Sequence, residues 1–318
     1  MKKKLILSIC ISIVLISIIV SPHKYILVSL NALDVWAKVL LPALFPFFVF
    51  TKLLTSLGYV KQASLCLKKP VYFLYKTPPI SAYVFFMSII TGYPVGSKLV
   101  ADLYNSGNLS KSDAKKVITF TSNSGPMFII GSVGIGMLLS NIAGYIIFAS
   151  HIIGALLNGL LYRNIKDSNL AQKKPYNIDK QECSLSSCVI DSIHSILLIG
   201  GIVVVAFIIT EILNNLNIFA PLISLLKFIG IDRSITSSFL NGILEITKGC
   251  LDISKLTLSL RIKTLISCSI ISFGGLSTTM QAMAFLKEIV SYKFFITQKI
   301  THMIFSAIIC ASLCLIFI

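Results

Sequence analysis

The sequence is short of charged residues, and this shortage alone limits the class of protein. Only 13% of the 318 residues are charged, whereas 55% are hydrophobic, and the mean hydropathy is +0.88. A soluble domain carries about 25% charged residues to cover its surface. The scarcity excludes a soluble enzyme, a secreted disulfide scaffold and a disordered chain. It predicts an all-α polytopic membrane protein.

Acidic residues are scarcer still, since 12 Asp and Glu stand against 28 Lys and Arg, giving a net charge of +16. In a soluble protein such an excess would suggest nucleic acid. In a membrane protein, basic residues collect in cytoplasmic loops. The sequence contains no zinc-finger, RNP-like or basic-helix pattern. We therefore expect the lipid bilayer as a partner and no nucleic acid.

Motifs for metal binding and nucleophilic catalysis are also lacking. The eight cysteines form no CxxC pair, and the four histidines are scattered along the chain. We therefore expect no metal site and no cofactor. No Ser–His constellation lies in the apolar runs, so we do not expect an enzyme. His151 and His194 are each expected to lack a partner and to serve in helix packing or at the interface.

Long apolar runs are abundant, and they predict about seven to eight transmembrane helices. The run Leu5–Val20 follows three lysines and precedes no small-residue cleavage site, so we predict a retained signal-anchor helix within 1–24. Residues 25–162 form a first membrane half in this prediction. Residues 163–188 form a polar cytoplasmic linker, and residues 189–318 form a second membrane half.

Most of the 28 basic residues fall into six clusters, of which the last is Lys287–Lys299. We interpret these clusters as topology signals and place them all on the cytoplasmic side. Two apolar runs, Ile80–Leu103 and Leu265–Ile289, must then enter and leave on one side. Each has a glycine-rich break and is predicted to be a re-entrant hairpin. Inverted repeats would place the two hairpins on opposite sides, so their orientation stays open.

Four polar segments interrupt the apolar runs, and we call them the polar islands. They span 91–98, 121–126, 242–249 and 272–281. Unwound helix breaks near the bilayer midplane can present half-helix N-termini to an anionic ligand. The islands therefore predict a membrane transporter of a small anionic solute. The alternative is that small residues merely allow close helix packing.

The candidate solute-binding residues are the glycines and the polar side chains of the islands. They are Thr91, Gly92, Tyr93, Gly96, Ser97, Lys98, Ser122, Asn123, Ser124, Gly125, Glu245, Thr247, Gly274, Gly275, Ser277 and Gln281. Lys98 would complement a carboxylate if it faced inward, and it could equally snorkel to the cytoplasmic interface. Glu245 is informative because a carboxylate within a transmembrane run is costly and usually functional.

Five motifs, in this order along residues 35–300, resemble the sporulation integral membrane proteins of the YlbJ type, which carry the nucleoside-recognition or Gate domain. The motifs are Leu41–Phe47 (LPALFPF), Thr91–Lys98 (TGYPVGSK), Phe120–Pro126 (FTSNSGP), Gly242–Gly249 (GILEITKG) and Ser272–Ser277 (SFGGLS). The resemblance implies a two-repeat Gate-type fold related to concentrative nucleoside transporters.

The resemblance also implies a function and a location. The expected role is in endospore formation, in the outer membrane around the forespore, and the expected cargo is dipicolinic acid. In this setting Glu245 would couple protons or order the second broken helix. Alternatives are a carrier of nucleosides or other small metabolites, and a membrane scaffold that transports nothing. We leave the formation of a homo-oligomer open.

Overall fold

The computed structural model describes residues 2–58, 62, 65–165, 184–228 and 230–318. Within these ranges the chain forms helices and no strand. The helices that are long and apolar enough to cross a membrane are Pro22–Leu54, Asn141–Leu161, Leu185–Asn215, Leu260–Leu286 and Tyr292–Phe317. The prediction of an all-α polytopic membrane protein is confirmed at this level.

The N-terminal part is nearly continuous helix. Helix α1 (Lys2–Val20) is followed at once by α2 (Pro22–Val35), a π-helical turn (Trp36–Leu40) and α3 (Leu41–Ser56). Proline is tolerated in the first turn of α2, where its missing N–H leaves no hydrogen bond unmade. Trp36, the only tryptophan, donates its indole N–H to the carbonyl of Ile196 at 3.0 Å, which ties this segment to the second half.

The first half continues with five helices, and two of the breaks between them coincide with the first two polar islands. They are α4 (Lys68–Tyr75), α5 (Ser81–Thr91), α6 (Val95–Asn105), α7 (Lys111–Thr121) and, after the π-helix Met127–Met137, α8 (Asn141–Leu161). Residues 92–94 separate α5 from α6, and residues 122–126 separate α7 from the π-helix. Residues 166–183 of the predicted linker lie outside the described part of the chain.

The second half has the same character. It contains α9 (Leu185–Asn215), α10 (Ala220–Phe228), α11 (Arg233–Leu244), α12 (Ile246–Lys255), α13 (Leu260–Phe273), α14 (Gly275–Leu286) and α15 (Tyr292–Phe317). A single residue, Glu245, separates α11 from α12, and Gly274 separates α13 from α14. The third and fourth islands are therefore also helix breaks.

Helices α8, α13 and α15 pack side by side in the centre. Glycines permit their close approach, since a Cβ added at Gly154 of α8 would lie 2.2 Å from the Oγ of Ser306 in α15. A buried cluster around Ile270, Cys268 and Cys310 fills the space between α13 and α15. Large apolar side chains such as Ile308 (60% exposed) cover the outside, as expected for a surface that faces lipid.

Candidate functional site

The four polar islands converge on one cavity, which we call the central cavity. It encloses about 110 Å³. Its polar wall takes residues from every island: Thr91, Gly92, Tyr93, Ser124, Gly125, Glu245, Thr247, Ser277, Thr278 and Gln281. Its apolar wall includes Leu44 and Phe47 of the LPALFPF motif. Residues that are more than 150 positions apart in sequence therefore share one wall.

Glycines bring the first and second islands into contact. Gly92 has a φ of 73°, and a Cβ there would lie 2.6 Å from the backbone nitrogen of Gly125. A Cβ at Gly96 would lie 2.1 Å from the carbonyl oxygen of Thr121. Because a Cβ at either position would clash with backbone atoms, these glycines set the distance between the two islands.

Three further predicted residues lie behind the cavity wall and are buried: Ser97, Ser122 and Asn123. The amide of Asn123 donates to the carbonyl of Phe120 at 2.9 Å and to the hydroxyl of Ser88 at 3.4 Å. These bonds tie the second island to α5 and α7. None of the three lines the central cavity, and Asn123 holds the loop in place.

Lys98 is exposed and does not line the central cavity. Gly96 and Val100 share the buried face of α6, and Lys98 lies between them in sequence, about 200° around the helix from either. The expectation that Lys98 faces inward therefore does not agree with the structure. The alternative expectation, a lysine directed to the outside, agrees with its exposure.

Glu245 has a clear structural role. Its backbone is extended, with φ −146° and ψ 124°, between the last turn of α11 and the first turn of α12. The side chain is 5% exposed, and its Oε2 accepts the backbone N–H of Lys248 at 2.7 Å. A carboxylate in this position satisfies a free N–H and complements the positive end of the helix dipole. The geometry agrees with the expectation that Glu245 orders the second broken helix.

The fourth island turns at two glycines with left-handed backbones, Gly274 (φ 88°) and Gly275 (φ 64°). A Cβ at Gly274 would lie 3.1 Å from both the Cε of Lys299 and the hydroxyl of Tyr93. Thr278 donates its hydroxyl to the carbonyl of Gly274. The turn thus leaves room for a lysine that comes from another helix.

That lysine, Lys299 of α15, was missed by the sequence analysis as a site residue. It is 1% exposed, and its Nζ donates to the hydroxyl of Tyr93 at 2.5 Å and to the carbonyl of Ser122 at 3.0 Å. The interpretation of Lys287–Lys299 as a topology cluster is therefore wrong for its last member. The available signal was its position within α15, one turn before a second polar residue, His302.

The expectation that His151 lacks a partner is also wrong. The rings of His151 and His302 lie 4.7 Å apart between centroids, because α8 and α15 pack side by side. His151 Nε2 accepts the backbone N–H of Ser124 at 3.0 Å, and its Nδ1 lies 2.9 Å from the hydroxyl of Ser272. The imidazole therefore links the second island to the fourth.

The His–His contact is not part of a metal centre in the described ranges, where no group of three His, Cys, Asp or Glu side chains could hold an ion. His302 places its Nε2 2.9 Å from the backbone carbonyl of His151 and its Nδ1 3.4 Å from Lys299 Nζ. The His151 ring is used in hydrogen bonds to two islands, and the His302 ring in contacts between the central helices.

A larger cavity of about 490 Å³ adjoins the central one. The two share six wall residues, which are Phe48, Thr91, Tyr93, Ile199, Ile202 and Gln281. The adjoining cavity is also lined by Lys52, whose Nζ donates to the hydroxyl of Ser195 at 3.3 Å. The two spaces therefore have a common wall.

The chain is similar to the sporulation integral membrane protein YlbJ of Bacillus subtilis (strain 168). The two sequences are 25% identical over 325 aligned residues, which cover 92% of this chain and 78% of that protein. No protein-family model matches the chain, and no solved structure matches it. The similarity confirms the resemblance to the YlbJ type that the five motifs predicted.

Proposed function

We propose that this protein is a membrane transporter of a small anionic solute and that the solute binds in the central cavity. The observation that carries the proposal is the convergence of all four polar islands on that cavity. Helix packing alone would need small residues at each contact but would not gather hydroxyl, amide and backbone groups around one open space. Broken helices around such a space are typical of secondary transporters.

The helix termini support an anionic solute. Helix α6, the π-helix Met127–Met137 and α14 begin next to residues of the cavity wall, and none has a side-chain cap. The fourth helix that begins there, α12, is capped by Glu245. Uncapped N-termini carry partial positive charge and free N–H groups. The hydroxyls of Thr247 and Ser277 and the amide of Gln281 add hydrogen-bonding groups for carboxylate oxygens.

The similarity to a sporulation protein supports a role for this chain in spore formation. We infer that it works in the membrane that surrounds the forespore and that its cargo is dipicolinic acid, a small aromatic dicarboxylate. The apolar wall, with Phe47, Phe48 and Phe128, suits the ring, and the polar wall suits the carboxylates. In this proposal the fold is a two-repeat Gate-type fold with seven to eight spans and two hairpins, and the protein is not an enzyme.

Two experiments test the proposal. Deletion of the gene in a sporulating host should lower the dipicolinate content of the spores, and normal content in a host without a paralogue would refute the cargo.

In a chain depleted of its own cysteines, Cys at position 247 or 277 should react with a small water-soluble thiol reagent, and dipicolinate should protect it. The matched control is Ser312→Cys on the outside of α15. If positions 247 and 277 are inaccessible, the packing alternative is favoured.

A carrier of nucleosides is the second candidate, because the aromatic side chains of the cavity wall would also suit a neutral base. Protection of an introduced cysteine by each ligand distinguishes the anion transporter from the nucleoside carrier. Dipicolinate should protect Cys at position 277 at concentrations where uridine does not. Protection by uridine alone would favour the nucleoside carrier, and protection by neither would favour a scaffold.

A further inference from the structure

We propose that Lys299 makes this site select an anion over a neutral solute, acting through the hydroxyl of Tyr93. The inference rests on the proposed function and names the residue that determines its specificity. Lys299 is a positioning residue in this role, since it does not itself line the central cavity. Tyr93 does line it, and it also faces the adjoining cavity.

The surroundings of Lys299 are polar but provide no negative charge. An ammonium group has three donors, and the three neighbours of Nζ are the hydroxyl of Tyr93, the carbonyl of Ser122 and the imidazole of His302. No carboxylate of the described residues lies within ion-pair distance. A buried charge without a counter-charge is expensive at membrane depth. An anion in the neighbouring cavity would supply the counter-charge that the described residues do not provide.

Tyr93 transmits the charge because of the direction of its hydrogen bond. Its oxygen accepts a hydrogen bond from Lys299 Nζ at 2.5 Å, and Lys299 Nζ also lies 5.1 Å from the ring centroid. A hydroxyl whose oxygen accepts a hydrogen bond from a cation keeps its own O–H as a donor, and the cation strengthens that donor. The Tyr93 hydroxyl should therefore donate well to a carboxylate and gain little from a neutral amide.

The remaining charged and titratable groups near the site do not replace Lys299. His151 lies across the interface on α8, where its two ring nitrogens are used by Ser124 and Ser272. The carboxylate of Glu245 is engaged with the backbone of Lys248. Lys52 belongs to the adjoining cavity. Among the lysines that the structure describes, Lys299 is therefore the one that contacts the wall of the central cavity through Tyr93.

Binding measurements on the full chain in lipid nanodiscs test this inference. The ligands are dipicolinate and its neutral diamide, which share ring size and shape. Wild type should prefer the dianion, and Lys299→Met should reduce this preference by about tenfold or more, as expected for losing a charge-assisted hydrogen bond. Tyr93→Phe should have the same effect while it leaves the lysine in place. Affinity for the diamide should fall by a smaller factor than affinity for the dianion in either variant, whereas a merely structural loss would lower both affinities equally.

The matched controls are Lys293→Met and Tyr292→Phe, both exposed and on the same helix as Lys299. They should keep the preference of wild type. If wild type prefers the dianion and Lys299→Met keeps that preference, or if both ligands lose affinity equally, this inference is overturned and the proposed function stands. If wild type binds the dianion no better than the diamide, or binds neither, both are overturned.

Discussion

At the scale of single residues, the site combines two buried charges with different surroundings. Glu245 is held at the start of α12 by a backbone N–H, a role that needs only local geometry. Lys299 is held by groups from two distant parts of the chain, Tyr93 and Ser122, and by His302 of its own helix. The first charge orders a helix, and the second depends on the tertiary structure.

The role of Glu245 as a cap predicts how its variants behave. Glu245→Ala leaves the N–H of Lys248 unsatisfied and should lower the free energy of unfolding by about 1 kcal/mol. Glu245→Gln keeps an acceptor and should lower it less. Both are measured by denaturant unfolding in detergent micelles.

Uptake in proteoliposomes then separates capping from proton coupling. With capping alone, Glu245→Gln should keep both the rate of dipicolinate uptake and its pH dependence. If the pH dependence disappears in Glu245→Gln while the protein stays folded, Glu245 couples protons and the capping account is incomplete.

At the scale of helices, glycine determines which elements can meet. The central pair α8 and α15 approaches closely at Gly154 and Ser306, and this approach brings His151 next to His302. Small residues at helix contacts are the usual means of association within a bilayer. The packing alternative for small residues is thus correct for Gly154, outside the islands. Within the islands, Gly92 and Gly125 line the central cavity, whereas other island glycines pack closely against neighbouring helices.

Gly154→Ala should therefore lower the free energy of unfolding, whereas alanine at a helical glycine with open space beside it should not. The added methyl group would lie 2.2 Å from the Oγ of Ser306 and 2.9 Å from its backbone nitrogen, so the helices must separate, and we expect a loss of about 1–3 kcal/mol. Gly201→Ala in α9 is the matched control, because a Cβ there meets nothing within 4 Å.

Alanine has the higher helix propensity, so Gly201→Ala should be neutral or stabilising by up to about 1 kcal/mol. Unfolding in denaturant compares the two variants. Equal stability of Gly154→Ala and wild type would contradict the close contact of α8 and α15.

At the scale of the whole molecule, hydrogen bonds connect the first half, which contains the second island, to the second half. His151 connects Ser124 with Ser272, and Asn158 of α8 donates to the carbonyls of Thr119 and Gln298. The central cavity therefore forms where the first and second halves meet. A site in this position can respond when one half moves against the other, which is how transporters with repeats commonly alternate access.

The excess of basic residues predicts the orientation of the molecule. A reporter inserted between residues 170 and 180 should lie in the cytoplasm, as should cysteines at positions 107 and 287, which follow α6 and α14. Labelling of intact cells with an impermeant thiol reagent measures the side of each position. Labelling of 107 and 287 from opposite sides would favour inverted repeats over two hairpins that open on the same side.

The sequence by itself determined the class of protein and the positions of the helix breaks. Composition required lipid-facing helices, and each island of Gly, Pro and hydroxyl residues proved to be a break. These features are local, since they depend on helix propensity and on the scarcity of charge. The roles of Lys98 and Lys299 could not be assigned in this way, because both are single lysines beside apolar stretches.

Only the tertiary structure decided which lysine belongs to the site. Lys98 lies within an island, yet its face of α6 points outward, whereas Lys299 lies more than 200 residues away from Tyr93 and contacts its hydroxyl. The pairing of His151 with His302 was decided in the same way. Such contacts depend on how α8, α13 and α15 pack. This packing is set by side-chain volumes across helix interfaces rather than by the pattern along any one helix.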